Sequence, residues 1–129
     1  MQKFTVALFG EAEKGSFNTL YYLKNLPQVY KFLGNPPNDS LGISLAVQLI
    51  NYGRELIFLR LEEEGFSLKD YYVGLKLLEE DNSILNLGAI GMPGMGENKV
   101  IQECFQLCDQ KGCMMLANEK DLYDFLTAN

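Results

Sequence analysis

The stretch of sequence that decides the fold is Ile84-Leu85-Asn86-Leu87-Gly88-Ala89-Ile90-Gly91-Met92-Pro93-Gly94-Met95-Gly96-Glu97. Its first half is a short apolar run, and a cluster of glycines with one proline then interrupts the pattern. A short apolar run bounded in this way is typical of a strand that is covered on both faces. We therefore predict a buried strand that enters a glycine-rich loop, with a helix starting behind the loop.

Other apolar stretches of the chain predict further strands, and helical patterns alternate with them. We predict strands at 3–9, 55–61, 84–90 and 113–117, and helices at about 17–25, 27–33, 41–52, 67–80, 97–110 and from 118 onward. Strands that alternate with helices are typical of an α/β domain with a parallel sheet. We predict a single domain over 1–129: a three-layer, doubly wound parallel sheet of about four strands, flavodoxin-like or Rossmann-like. The predicted strand order, taken from common folds of this class, is 2-1-3-4.

Polar residues at the expected positions predict where three helices begin. The candidate caps are Asp39 or Ser40, the pair Ser67 and Asp70, and the pair Asn118 and Asp121. Side-chain oxygens of such residues accept hydrogen bonds from the free N–H groups of the first helical turn. The helix 41–52 is apolar on most sides, so we expect it to be deeply buried or to face a partner chain.

The charge and composition of the chain exclude several classes of function. The formal net charge is −6, and Arg54 and Arg60 are the only arginines. Phosphate backbones are bound by Lys and Arg, so nucleic acid and anionic membrane surfaces are poor candidates as partners. The chain has no His, which excludes His-based triads, His general bases and most catalytic zinc sites.

The three cysteines predict a reducing environment. Cys104, Cys108 and Cys113 are an odd number, and the N-terminus has too short an apolar run for a secretory signal. We expect reduced thiols that pack as small hydrophobic groups. No apolar run approaches the roughly 20 residues that a membrane helix needs. We therefore expect a soluble, cytoplasmic protein.

Two glycine-rich loops form the candidate binding site. In a doubly wound sheet, ligands bind outside the carboxyl ends of the strands where the strand order reverses, which here falls between the first and third predicted strands. The loops 10–16 and 91–97 follow those strands. The candidate ligand-binding residues are Gly10, Glu11, Glu13, Lys14, Ser16, Asn18, Gly94, Gly96 and Glu97.

Each loop also has a simpler interpretation. The spacing of Gly10, Gly15 and Ser16 is that of a P-loop, but the Lys that the motif requires before Ser is missing. Glu11 and Glu13 would repel a phosphate unless Mg²⁺ bridged them to it. Glu97 sits where an anion would bind at a helix start and can itself satisfy the helix dipole. The acidic run Glu62–Glu64 is more typical of a solvated edge, so we predict no metal site.

No catalytic constellation is visible, and the predicted function is an interaction function. We predict a non-catalytic α/β protein-interaction or self-assembly domain, with a homodimer or another protein as its partner. The predicted contact surface is the helix 41–52 with the neighbouring Tyr/Phe segment, which contains Tyr30, Phe32 and Leu33. The alternative is a binding protein or an enzyme whose ligand, a small molecule or a nucleotide, lies at the loops after the first and third strands. The sequence identifies no cofactor.

Overall fold

The computed structural model describes residues 4–84 and 86–128. Lys3 and Leu85, which fall within predicted strands, lie outside the described residues. The elements in chain order are β1 (Thr5–Glu11), β2 (Tyr21–Leu23), α1 (Leu26–Leu33), α2 (Gly42–Asn51), β3 (Glu55–Leu61), α3 (Leu68–Glu80), β4 (Leu87–Gly91), α4 (Asn98–Lys111), β5 (Met114–Leu116) and α5 (Glu119–Thr127). Within the described ranges, no helix is both long enough and apolar enough to cross a bilayer.

The five strands form one mostly parallel sheet with the order β2-β3-β1-β4-β5. β1 pairs in parallel with β3 and with β4, and β5 pairs in parallel with β4. Without the short strand β2, this is the predicted order 2-1-3-4, which is therefore confirmed. Helices cover both faces of the sheet, as expected for a flavodoxin-like or Rossmann-like α/β fold.

The two faces of the sheet bury separate apolar layers. Val6 and Leu8 of β1 face α1, α2 and α5, and they pack in one cluster with Ile43 of α2. Phe9, on the opposite face, packs in a second cluster with α3 and α4, where its ring stacks on Tyr71 at 5.3 Å between centroids. Each fully buried side chain of this size contributes roughly 1.5–3 kcal/mol of burial free energy. The alternation along β1 therefore fixes which helices lie on which face.

The predicted helix at 17–25 is wrong. Asn18 has a left-handed φ of +56°, which interrupts a helix, and Tyr21–Leu23 forms the antiparallel edge strand β2 beside β3. Tyr is favoured in strands, and Tyr21 pairs directly with Phe58 on the neighbouring strand. Pairing with a strand far along the chain overrides the local helical pattern here.

Several predicted boundaries also shift. β1 continues to Glu11, so Gly10 and Glu11 belong to the strand end and not to the loop. β4 begins only at Leu87, and α4 begins at Asn98, directly after Glu97. The ends of helices and strands are the hardest part to predict from such a pattern. The conformation of the last residues depends on their caps and not on the periodicity.

The predicted cap of α5 is confirmed, and that of α3 is wrong. The Asn118 side chain accepts a hydrogen bond from the Asp121 N–H group at 2.9 Å, as predicted for the start of α5. Ser67 and Asp70 form no capping box. The Ser67 hydroxyl accepts from the Glu63 N–H group, and the Asp70 carboxylate accepts from that of Glu62. The chain folds back between β3 and α3, so these side chains hold the loop and not the helix start.

Candidate functional site

The N-terminus of α2 is capped by a carboxylate from a distant loop. Glu64 accepts the N–H of Leu41 at its Oε1 (2.8 Å), and the N–H groups of Gly42 (2.9 Å) and Glu11 (2.8 Å) at its Oε2. A negative charge at this position is stabilised by the helix dipole and by the free N–H groups. Glu64 therefore occupies the place where an anionic ligand would bind at a helix start.

The predicted caps of α2 are wrong. Ser40 instead donates its hydroxyl hydrogen to the Pro37 carbonyl at 2.7 Å, and Asp39 adopts a left-handed φ of +59°. Both residues belong to the turn that precedes the helix. Because the local side chains bond within the turn, the helix N–H groups donate to Glu64 from the loop after β3.

Close backbone packing lets one carboxylate reach two elements. A Cβ atom on Gly10 would lie 2.5 Å from the Gly42 Cα, and one on Gly42 would lie 2.6 Å from the Gly10 Cα. Side-chain atoms do not fit at such distances, so both positions require glycine. The end of β1 and the start of α2 are thus close enough to share Glu64.

The loop after β3 crosses the predicted ligand crevice. Its Glu64 binds Glu11, and its Gly65 lies against the loop after β4, where a Cβ on Gly65 would be 2.6 Å from the Gly94 carbonyl oxygen. β3 and β4 flank β1, so a contact between their loops passes over the end of β1. The Gly65 N–H also donates to the Tyr71 hydroxyl at 2.7 Å, which anchors this loop on α3.

Among the described residues, the two predicted binding loops are linked through this third loop. No hydrogen bond joins the segments 10–16 and 91–97 in the portion of the chain that the structure describes. Gly10 and Glu11 meet Glu64, while Gly94 meets Gly65. The Leu41 and Gly42 N–H groups at the α2 start already bind Glu64, and the added acidity opposes a bare phosphate.

The remaining residues of the first loop turn toward α1. The Lys14 N–H donates to the Leu33 carbonyl at 3.1 Å, and the Glu13 carboxylate accepts from the Asn35 N–H at 3.2 Å. The Ser16 N–H donates to the Tyr21 hydroxyl at 2.6 Å. These contacts, with Asn18 in its left-handed turn, hold the loop against the α1 side of the sheet, away from Gly94.

The last two candidate residues lie beside the start of α4. Gly96 has open space where a side chain would point, and the Glu97 N–H donates to the Met95 sulfur at 3.3 Å. Glu97 precedes the helix but makes no side-chain hydrogen bond to its first turn. Its charge is nevertheless close to the helix start, where it is stabilised by the dipole.

A second candidate surface consists of Arg60, which stacks on Phe17, and of the Tyr21 and Phe32 rings, which contact each other. We name it the aromatic face, and its members are Phe17, Tyr21, Phe32 and Arg60. The Arg60 guanidinium carbon lies 4.4 Å from the centre of the Phe17 ring, and Nη1 donates to the Gly15 carbonyl at 2.5 Å. The Tyr21 and Phe32 rings contact each other, with 5.9 Å between their centroids.

The cation of the aromatic face lacks an acidic partner among the described residues. The ion pairs found in the described residues join Lys24 to Glu55 and Lys120 to Asp124, and neither pair includes Arg60. Arg60 is partly buried, and its Nε has no hydrogen-bond partner in the same set of residues. Its charge is therefore stabilised by a π-face and one carbonyl, without a counter-ion.

The sequence prediction missed Arg60 and Glu64, and only Arg60 has a signal that could have revealed it. Arg60 is a charged residue within the otherwise apolar strand end Ile57–Leu61. It lies next to the carboxyl edge, which is the edge of the sheet where the parallel strands end. Glu64 stands in a run of three identical residues, so nothing in the pattern distinguishes it from Glu62 or Glu63.

The three thiols lie together, and two of them are poor nucleophiles. Cys104 and Cys108 are buried, and Cys113 is partly exposed. Hydrogen bonding to the Cys104 thiol, with burial, raises the pKa of Cys108 to about 12. Hydrogen bonding to Cys108, again with burial, raises the pKa of Cys113 above its ordinary value. Thiolates of Cys108 and Cys113 are thus disfavoured, and no group of three or more His, Cys, Asp or Glu in residues 4–84 and 86–128 is placed to hold a metal.

Comparisons with known proteins add no functional assignment to this geometry. A scan against protein-family models finds no match, and neither the curated proteins nor the solved structures give a significant one. The class that the fold defines is the three-layer α/β domain, which supports many unrelated functions. Function is therefore inferred from the residues of the two candidate surfaces, the carboxyl edge and the aromatic face.

Proposed function

We propose that this chain is a non-catalytic interaction domain that binds another protein through its aromatic face. The observation that supports the proposal is the partly buried Arg60 guanidinium, stacked on Phe17 without a carboxylate partner in the described residues. Phe17 and Phe32 beside it are 41 % and 39 % exposed. Aromatic residues and Arg are the residue types that are enriched in protein interfaces, and Tyr and Arg also at their energetic centres.

The aromatic face has the physical properties of a binding surface. Its rings expose apolar area that a partner can remove from water, at roughly 25 cal/mol for each Å². The Gly15 and Phe17 contacts hold the Arg60 side chain in one geometry before a partner arrives. A side chain that is already ordered loses little entropy on binding, which favours affinity.

The helix that the sequence suggested as a contact surface contributes less. Ile43, Leu45, Ala46 and Leu49 of α2 are buried against the protein's own β1, β3 and α1. Its apolar face is therefore used within the fold. The Tyr/Phe segment that precedes it keeps exposed rings, so the proposed surface lies on that segment and on Phe17.

Binding of a small molecule or nucleotide at the carboxyl edge is the weaker proposal. Glu64 already accepts the N–H groups that an anion at the α2 start would need, and the Glu11 carboxylate lies beside it. A phosphate-containing ligand would have to displace one carboxylate and approach another. Free thiols among the described residues support a cytoplasmic location for the proposed interaction.

A display library of random short peptides tests the proposal without a known partner. We expect the wild-type protein to enrich peptides whose binding is lost in the Phe17→Ser and Phe32→Ser variants. Phe66→Ser is the matched control, because Phe66 is 73 % exposed on a different loop and should leave binding unchanged. Thermal unfolding of each variant verifies the fold. The proposal is wrong if nothing is enriched, or if the enriched peptides bind the Phe17→Ser variant as well as the wild type.

A further inference from the structure

We infer that the segment bound by the aromatic face is acidic: it presents a carboxylate to Arg60 and an apolar side chain to Phe17 and Phe32. This inference rests on the function proposed for that face and specifies its partner. It follows from the donors that Arg60 leaves unused, from the charges around it, and from the poor fit of a second copy of this chain.

Arg60 offers donors that its own fold does not satisfy. A guanidinium has five N–H donors in a planar fork, and only Nη1 donates to a described acceptor, the Gly15 carbonyl. Nε is buried, so the free donors within reach of a partner are on the terminal nitrogens. Carboxylates match this fork and form charge-assisted hydrogen bonds that are roughly twice as strong as neutral ones.

The charges near the aromatic face favour an acidic partner, although the whole chain has a net charge of −6. The Lys31 ammonium lies 5.4 Å from the centre of the Phe32 ring. The backbone of Lys14 lies against the end of α1 through its N–H bond to Leu33. Glu13 directs its carboxylate to the Asn35 N–H, and Glu11 directs its carboxylate to the Glu64 N–H. The aromatic face thus carries two cationic side chains, Arg60 and Lys31, each against a ring, on an acidic protein.

A second copy of this chain fits the same surface poorly. A two-fold dimer buries the same patch of each copy against itself. Such a contact would bring Arg60 and Lys31 of both copies together, and like charges in an interface are destabilising. The charges of the aromatic face therefore select a different, acidic segment over self-association.

The enriched peptides from the display experiment test this inference directly. We expect their shared sequence to contain Asp or Glu next to an apolar residue. Replacing those acids by their amides should weaken binding to the wild type roughly tenfold or more, because a charge-assisted pair is lost. In the Arg60→Gln variant the acid and amide forms should bind alike, which assigns the effect to this one contact.

The outcomes separate the inference from the function on which it rests. Peptides that need Phe17 and Phe32 but bind equally well as amides overturn the acidic partner and leave the interaction function in place. Binding that ignores both rings overturns both. A dimer in light scattering that Phe17→Ser dissociates shows that the occupant is a second copy, which also overturns the inference. Arg60→Lys keeps the charge without the fork, so it should retain part of the preference if Arg60→Gln fails to fold.

Discussion

Glu11 and Glu64 exchange hydrogen bonds across the carboxyl edge of the sheet, although 53 positions separate them. The Glu11 N–H donates to Glu64 Oε2 at 2.8 Å, and the Glu64 N–H donates to Glu11 Oε2 at 2.9 Å. Each carboxylate is thereby held by the backbone of the other residue. The pair joins the end of β1 to the loop after β3, and through Glu64 it also joins both to α2.

Replacing Glu64 by Ala should destabilise the protein by about 2 kcal/mol, because three backbone N–H groups lose their charged acceptor and α2 loses its cap. Urea unfolding at pH 7 measures the change. Glu63→Ala is the matched control, because the Glu63 carboxylate, next to Glu64 in the sequence, forms no hydrogen bond within the described chain. Equal stability of the two variants would contradict the cap.

An external anion should partly replace the missing carboxylate. In Glu64→Gly the N–H groups of Glu11, Leu41 and Gly42 face an empty space that suits an anion at a helix start. We expect acetate to raise the unfolding midpoint of Glu64→Gly more than that of Glu63→Gly, because binding only to the folded state stabilises it. Thermal melts across an acetate series, with sodium chloride at matched ionic strength, measure the difference. Identical slopes would argue against three convergent donors.

Two glycines should respond oppositely to the same substitution. Gly10→Ala places a Cβ 2.5 Å from the Gly42 Cα, where only backbone movement can relieve the overlap, so we expect a loss of about 2–3 kcal/mol. Gly96→Ala meets no atom within 4 Å and should be neutral or slightly stabilising. Denaturant unfolding of both variants compares them. A mild effect of Gly10→Ala would show that β1 and α2 are less tightly packed.

The buried phenol of Tyr71 should make the folded protein less stable at alkaline pH. Burial raises its pKa to about 12, whereas the unfolded chain releases this proton near pH 10. The folded state then binds more protons than the unfolded one, so the free energy of unfolding falls as pH rises from 10 toward 12. We expect Tyr71→Phe to be less stable at pH 7, where it loses the Gly65 hydrogen bond, but to lose less stability over this alkaline range. Urea unfolding at a series of pH values records both effects, and parallel curves would contradict the burial of the phenol.

The thiols should resist alkylation in the native protein. A pKa raised to about 12 lowers the thiolate fraction of Cys108 roughly a thousandfold below that of an ordinary thiol. Mass spectrometry after iodoacetamide treatment at pH 8 should therefore show slow labelling of Cys108, and fast labelling of all three cysteines in denaturant. Native labelling at the rate of a free thiol would point to thiol chemistry instead of an interaction function.

The parallel core of the fold was predictable from the sequence, because burial on both faces leaves a short, continuous apolar run. Leu87–Gly91 has this form, and the order of the four main strands follows from the fold class. The edge strand Tyr21–Leu23 was not predictable in the same way. Its partner, Leu56–Phe58, lies far along the chain, and a three-residue strand has too little periodicity of its own.

The candidate site was predictable only in part. The sequence located the carboxyl edge through Gly10 and Gly94, but it could not show that Glu64 and Gly65 connect them. Which of three consecutive glutamates reaches a helix start depends on the turn geometry between β3 and α3. The pairing of Arg60 with Phe17 depends likewise on a loop that the local pattern assigned to a helix.

The distant cap of α2 has a consequence for the order of events during synthesis. During synthesis, the amide groups of α2 leave the ribosome before the Glu64 carboxylate that caps them, because Glu64 follows Gly42 by 22 positions. A nascent chain that ends at β3 therefore carries an incomplete helix, whose first turn stays bonded to water. Docking of the loop after β3 then completes strand, helix and turn together, so we expect the first half of the domain to gain its native structure late and as one unit.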